Sequence, residues 1–154
     1  MTNWMDMAVD EAKLGIKRGD GGPFGAVVVR KGRAIAKAHN MVPTSNDPTA
    51  HAEILAIRKA SSTLKRFDLS DCTLYSTCEP CPMCLAAIHW ARIGKVVYGA
   101  TRHDAAAVGF DDADIYKLMG KSLKKASPDM KQQGRKGCVD AMETWAKSPD
   151  KIPY

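Results

Sequence analysis

The stretch STCEPCPMC, residues 76–84, places Cys78, Cys81 and Cys84 within seven positions. Such a cluster suits a disulfide, a redox pair, a structural zinc or a catalytic metal, and each use demands a different fold around it. The chain has five cysteines, the others being Cys72 and Cys138. An odd number, behind an N-terminus MTNWMDMAVDEAK with charges where a secretory signal needs an apolar core, argues against a disulfide framework. No apolar run approaches the ~20 residues of a membrane helix. The expectation is therefore a soluble, cytoplasmic protein with reduced thiols. At 154 residues, 45% of them hydrophobic, a single domain over residues 1–154 can bury its core without staples.

Hydrophobic spacing predicts alternating helices and strands. Met5, Val9, Ala12 and Ile16 recur at helical period, and Gly19 stops that helix. FGAVVVR and AIAKAH, joined across Lys31 and Gly32, read as a two-strand hairpin. In NDPTAHAEILAIRKA, Asp47 is expected to cap a helix with Pro48 in its first turn and with Ile54, Leu55 and Ile57 facing the core. CTLYS reads as a buried strand, and PMCLAAIHWAR as a helix with Cys81 in the capping position. KVVYGA is the next strand, and DDADIYKLM a short helix headed by two acids. Between Gly120 and Gly137 the chain is polar and lysine-rich, so a fifth strand there is a short edge strand, and CVDAMETWAK then reads as helical. The expected architecture is α/β: a three-layer α/β/α sandwich around a mixed five-stranded sheet.

That order places the cysteines. If the AHAE and PMC helices open at one edge of the sheet, His51 converges with Cys81 and Cys84, which share the first helical turn. Free N–H groups and the helix dipole favour thiolates there. One histidine and two thiolates are three ligands, whereas zinc prefers four, and a fourth position left to water distinguishes a catalytic site from a closed structural one. Glu53, two residues after His51, then leans over the open position without being a ligand, placed to take a proton from the activated water.

H-x-E followed by P-C-x-x-C is the signature of zinc nucleobase deaminases, and it stands here as HAE at 51–53 and PCPMC at 80–84. From its first helix to at least Asp112, the sequence resembles the cytidine deaminase-like superfamily. GGPFGAVVV, TSNDPTAHAE, TCEPCPMC and GFDDADIYK are similar to the bacterial guanine deaminase branch. The tRNA adenosine deaminases share PTAHAE and a PCxMC helix, but not the GFDD segment.

The resemblance implies one zinc per chain, held by His51, Cys81 and Cys84, with Glu53 as proton carrier and Asp112 near the exocyclic amine, assisting proton transfer. Without it, Asp111 and Asp112 are an ordinary helix cap and first-turn acid. Asn40 ends the second strand, where its amide reads a purine edge or simply makes a turn. Phe24 and Trp90 flank the base, or belong to the core or a subunit contact. Backbone N–H groups around Ala52 and Cys81 are candidates for holding the oxyanion and the base. Cys78 is expected to pack behind the site, Cys72 and Cys138 in the core, and His89 and His103 are not expected to be ligands. The resemblance further implies a homodimer whose C-terminal segment, about 120–154, is exchanged so that Tyr154 closes the partner's site.

The net charge is +6, and residues 117–154 hold nine Lys and Arg against four Asp and Glu, a balance of +5. A basic tail suits tRNA phosphates, but a solvated helix face and a lysine-protected edge are the favoured account of it, because aromatic content is low and the sequence offers no stacking platform. The favoured expectation is a purine-metabolism enzyme that hydrolyses guanine to xanthine and ammonia. Metal-activated water attacks C2, and Glu53 carries the proton to N3 and then to the leaving amine. A tRNA adenosine deaminase and a cytosine or triazine deaminase are the enzymatic rivals. A purely structural zinc module is opposed by Glu53, for which such a site has no use.

Overall fold

The structure is a computed structural model that describes residues 2–120, 132, 135–136, 139–140 and 149–150. It divides into a compact unit over Met1–Tyr116 and a second over Lys117–Tyr154. In the second unit, among the described residues, Lys136 pairs with Asp140 one helical turn later at 3.0 Å.

In the first unit, α1 (Trp4–Arg18) begins where the Asn3 side chain accepts the N–H groups of Met5 and Asp6. It ends at Gly19, whose left-handed backbone (φ 71°) costs no strain. The inner face includes the expected Ala12 but not Ile16. Ala8, Glu11, Ala12 and Gly15 are buried, whereas Ile16 is 54% exposed. The helix lies so close to the sheet that an added Cβ on Gly25 would clash with the Ala8 carbonyl oxygen. Where the helix meets Gly25 the inward residues are small, Ala8 and Ala12, and Ile16 lies on the exposed flank.

β1 (Gly25–Arg30) and β2 (Arg33–His39) form the expected hairpin. Lys31 and Gly32 both take positive φ, 47° and 68°, as a tight twist-matched turn requires. β1 also pairs antiparallel with β3 (Cys72–Cys78), which pairs parallel with β4 (Lys95–Ala100). The order β2-β1-β3-β4 makes a mixed sheet of four strands among the described residues, not five. The fifth was expected in 120–137, where the polar pattern is weak and most positions lie outside the described residues.

Strand alternation separates two faces. Val27, Val29 and Tyr75 pack with Ala8 and Trp4 under α1. Ala26, Val28 and Leu74 pack with Ala52, Ala56 and Ala60 of α3 (Ala52–Leu64) and with Ile88 of α4 (Pro82–Trp90). Helices thus cover both faces of the sheet. In α3, Ile54 is buried while Leu55 and Ile57 are half-buried.

Asp47 does not cap α3. Its carboxylate accepts the backbone N–H and hydroxyl of Thr49, closing a local turn, and the helix starts five residues later behind His51. Two short helices were not foreseen. α2 (Val42–Ser45) follows the second strand, and α5 (Arg102–Ala107) begins with a reciprocal cap between Thr101 and Asp104. The last described element of this region is α6 (Asp112–Met119).

Candidate active site

His51 and Cys81 occupy equivalent places, each the residue before a helix with extended backbone (ψ 153° and 167°) and neither capping with its side chain. Their side chains are consequently free for each other. Pro82 opens α4 at a position that needs no N–H, and Cys84 lies one turn after Cys81. His51 Nδ1 lies 3.6 Å from Cys81 Sγ and 3.5 Å from Cys84 Sγ. The three ligand atoms fall within 4.8 Å of one another.

A tetrahedral ion with ordinary zinc–sulfur and zinc–nitrogen bonds requires N···S separations of about 3.6 Å. Both N···S separations therefore match those of a tetrahedral zinc. In the protein alone, the Cys84 thiol donates to Cys81 and lowers its pKa, aided by His51, while the Cys84 thiol is pushed up. The bond to Cys81 raises the pKa of His51. Among the described residues no cysteine is in a disulfide.

Glu53 is buried, and burial raises its pKa against the opposing bond from Ser76 Oγ at 3.2 Å. Its carboxyl lines a cavity of about 410 Å³ together with His51 and Cys81. Asp112 lines the same cavity, its pKa raised by burial and then by the Cys81 thiolate. Two carboxyl groups biased toward protonation thus share one space with a metal-binding trio.

Asn40 is buried at the cavity wall, and its Oδ1 accepts from the N–H groups of Gly22 (3.3 Å) and Val42 (3.1 Å). Two backbone donors on one atom settle which end is oxygen, so Nδ2 is the group available to a ligand. Gly21 must be glycine here, because an added Cβ would clash with Asn40 Oδ1. Beneath this loop, His39 Nδ1 meets Glu11 at 3.1 Å and Nε2 meets Asp20 at 2.9 Å. Burial pushes the Glu11 pKa up, but its bonds to His39 and Lys37 outweigh this and hold it below the usual value.

Phe24 lines the cavity and meets Phe110 edge to face, with ring centroids 4.7 Å apart. Trp90 does not line it; at the end of α4 the ring is 62% exposed. Nine residues of helix carry it away from the N-terminus where the ligands sit. Ala52 is fully buried in the first turn of α3, beside the site through its backbone. Cys78 is buried as expected but also lines the cavity, its thiol pushed up to about 11 by burial and then by the Asp112 and Glu53 carboxyls. Cys72 is buried in the core. Cys138, Tyr154 and the exchanged segment lie outside the described residues.

Phe110, Ser76 and the His39 network were missed. Ser76 left a trace, because in the alternation of Cys72, Leu74 and Ser76 a hydroxyl falls on the buried face and must find a partner. Phe110 stood inside GFDD, a segment read for its acids and for its resemblance to the guanine branch, with no role given to the phenylalanine.

The sequence profile of the cytidine and deoxycytidylate deaminase zinc-binding region matches residues 1–100. The chain is 46% identical over 151 residues to a guanine deaminase of Bacillus subtilis (strain 168), covering 98% of this chain and 97% of that protein. The X-ray structure of guanine deaminase from Bacillus subtilis matches with a TM-score of 0.95 over 100% of this chain and 99% of that one, at 46% identity. A tRNA-specific adenosine deaminase of Aquifex aeolicus (strain VF5) is 45% identical over 97 residues, 63% of this chain and 64% of that protein. A guanine deaminase structure from Nitrosomonas europaea matches at 30% identity with a TM-score of 0.68, over 90% of this chain and 70% of that one.

Proposed function

Because the chain belongs to the cytidine and deoxycytidylate deaminase zinc-binding family, we propose that it is a zinc-dependent aminohydrolase converting guanine and water to xanthine and ammonia. The observation that carries this reading is the shared cavity: a second acid, Asp112, faces the space that holds His51, Cys81 and Glu53. Zinc bound by His51, Cys81 and Cys84 supplies a Lewis acid that makes water a nucleophile near neutral pH.

Glu53 carries one proton of the attacking water to N3 of guanine and then the second, from the hydroxyl added at C2, to the departing amine, so that xanthine keeps N3–H and ammonia leaves. Its raised pKa suits a group that must both accept and return a proton. Asp112 accepts from the N2 amine and N1–H, a donor pair that adenine lacks, and assists transfer to the amine. Asn40 Nδ2 donates to an acceptor on the purine edge. Phe24 and Phe110 enclose the base by their ring faces and edges. Backbone N–H groups at the starts of α3 and α4, around Ala52 and Cys81, hold the base in register and bond the oxygen added at C2.

We propose further that the chain is a single deaminase domain, a reading supported by the near full-length match to the Bacillus subtilis relative, and that it acts as a cytoplasmic homodimer in purine metabolism with its segment from about 120 exchanged. Leu85 and Trp90, exposed on α4, support self-association. Among the described residues, no helix is long and apolar enough to cross a membrane.

The second reading, deamination of adenosine in tRNA, is favoured by the basic residues after Lys117 and by the Aquifex relative, whose match covers 63% of the chain. The test of the favoured reading is metal removal with product identification. A chelator should abolish formation of xanthine from guanine, and one equivalent of zinc should restore it; xanthine formation by zinc-free protein would refute the proposal.

A further inference from the structure

Asp112 is the first residue of α6, a helix with no buried residue. Apolar packing therefore contributes little to where this carboxyl sits, although hydrolysis of guanine requires it within hydrogen-bond reach of the base. Directed contacts one turn later supply the constraint. The Tyr116 hydroxyl donates to the Pro80 carbonyl at 2.6 Å, and Pro80 immediately precedes the metal ligand Cys81. Residues four apart share one helical face, so the bond that pins Tyr116 also fixes the depth of Asp112.

The ring of Tyr116 is held as well. The Arg102 guanidinium lies 3.7 Å from its centroid. Arg102 is in turn fixed by Glu79, which accepts from its backbone N–H at 2.9 Å and from its guanidinium at 2.7 and 3.2 Å. The Arg102 bond keeps the pKa of Glu79 below the usual value, so the pair stays charged. Glu79 itself belongs to the β3–α4 connection, where its N–H bonds the Ala100 carbonyl at 2.7 Å. Glu79, Pro80, Arg102 and Tyr116 thus join the metal-ligand loop, the start of α5 and the middle of α6.

We propose that Tyr116, held by Arg102 and Glu79, is a positioning residue for Asp112: it locks α6 to the Cys81 loop at the depth where the carboxyl meets the exocyclic amine. This inference rests on the guanine reading. Neither Tyr116 nor Arg102 lines the cavity, so neither is assigned contact with substrate. A tyrosine whose hydroxyl only stabilised the fold would affect every catalytic variant alike.

The experiment is a double-mutant cycle on guanine with zinc content measured in each protein. Tyr116→Phe should lower kcat about tenfold, the scale of one well-placed hydrogen bond, and keep its zinc. Asp112→Asn should lower kcat more, and adding Tyr116→Phe to it should change the rate less than about twofold, because nothing then depends on the depth of residue 112. Arg102→Lys, which keeps a cation but loses the planar fork, should follow the same pattern with a smaller loss. An equal fold-loss from Tyr116→Phe in both backgrounds, or zinc loss in Tyr116→Phe, would overturn the inference while sparing the guanine reading. If instead Asp112→Asn turns over guanine like the wild type, the role of Asp112 falls and the inference with it.

Discussion

The two walls of the cavity are built differently. The inner wall carries His51, Glu53, Cys81 and Cys84 at the starts of α3 and α4, where Ala52 and Cys84 are fully buried and Glu53 and Cys81 nearly so. The outer wall runs from Phe110 into α6, with Phe110 36% exposed, Ile115 40% exposed and no buried residue in the helix. The groups proposed to bind metal, together with Glu53, therefore stand on packed elements, which hold geometry to fractions of an ångström. Asp112 and Phe110, proposed to meet the base, stand on a segment held by directed contacts, the Phe24–Phe110 edge and the Tyr116 bond. The division implies that damage to the inner wall removes the metal or its proton carrier, whereas damage to the outer wall leaves zinc bound and loosens the hold on the base and on the depth of Asp112.

The largest effect tests the inner wall. Cys84→Ala should leave two ligands, lose bound zinc and reduce ammonia release from guanine to background, as metal analysis and a turnover assay will show. Glu53→Gln should keep zinc while kcat falls by ~10²–10⁴, since it removes a proton carrier and no ligand. Near-normal turnover in that variant would take the proton role from Glu53.

Phe110→Ala probes the outer wall. Losing one edge-to-face partner should cost about 0.5–1.5 kcal/mol of binding, seen as a several-fold rise in KM with kcat little changed. Loss of bound zinc, or an unchanged KM, would erase the proposed distinction between the walls.

The smallest effect lies at neither wall. Asp71 is paired with Arg30 and Arg66, and the Arg30 bond above all lowers its pKa to about 2. Its folded pKa lies below the unfolded value of about 3.9, so the pair stabilises the protein above pH ~4, and that contribution fades as pH falls toward 2. Asp71→Asn should lower Tm slightly at pH 7, converge with the wild type near pH 2 and leave kcat unchanged. Solvent screening keeps the effect small at so exposed a pair.

Local chemistry was legible in the sequence wherever neighbours in the chain decide the outcome. The Lys31-Gly32 turn, the Gly19 stop and Cys81 before α4 follow from backbone preference, and the ligand trio from motif spacing. What depends on tertiary approach was not legible. Ile16 and Ala8 trade places because α1 presses against Gly25. Asp47 had two local partners available, and the turn with Thr49 prevailed over the helix cap. The Glu11–His39–Asp20 network joins three separate parts of the chain, and the pairing of Phe24 with Phe110 spans most of the first unit. No spacing rule reaches such pairs. The five-strand expectation rested on a segment whose polar pattern specifies a strand poorly, and four strands are formed by the described residues.

The central claim is that Asp112, placed beside the metal trio, selects a 2-aminopurine. The direct measurement is kcat/KM for ammonia release by zinc-loaded protein on guanine, adenine, cytosine and a tRNA anticodon stem-loop, taken at several salt concentrations. The account predicts that guanine exceeds adenine and cytosine by at least ~10²-fold, the range open to a site that must satisfy a donor pair, and that its rate varies little with salt. Robust turnover of the stem-loop alone, falling steeply as salt rises, would contradict it.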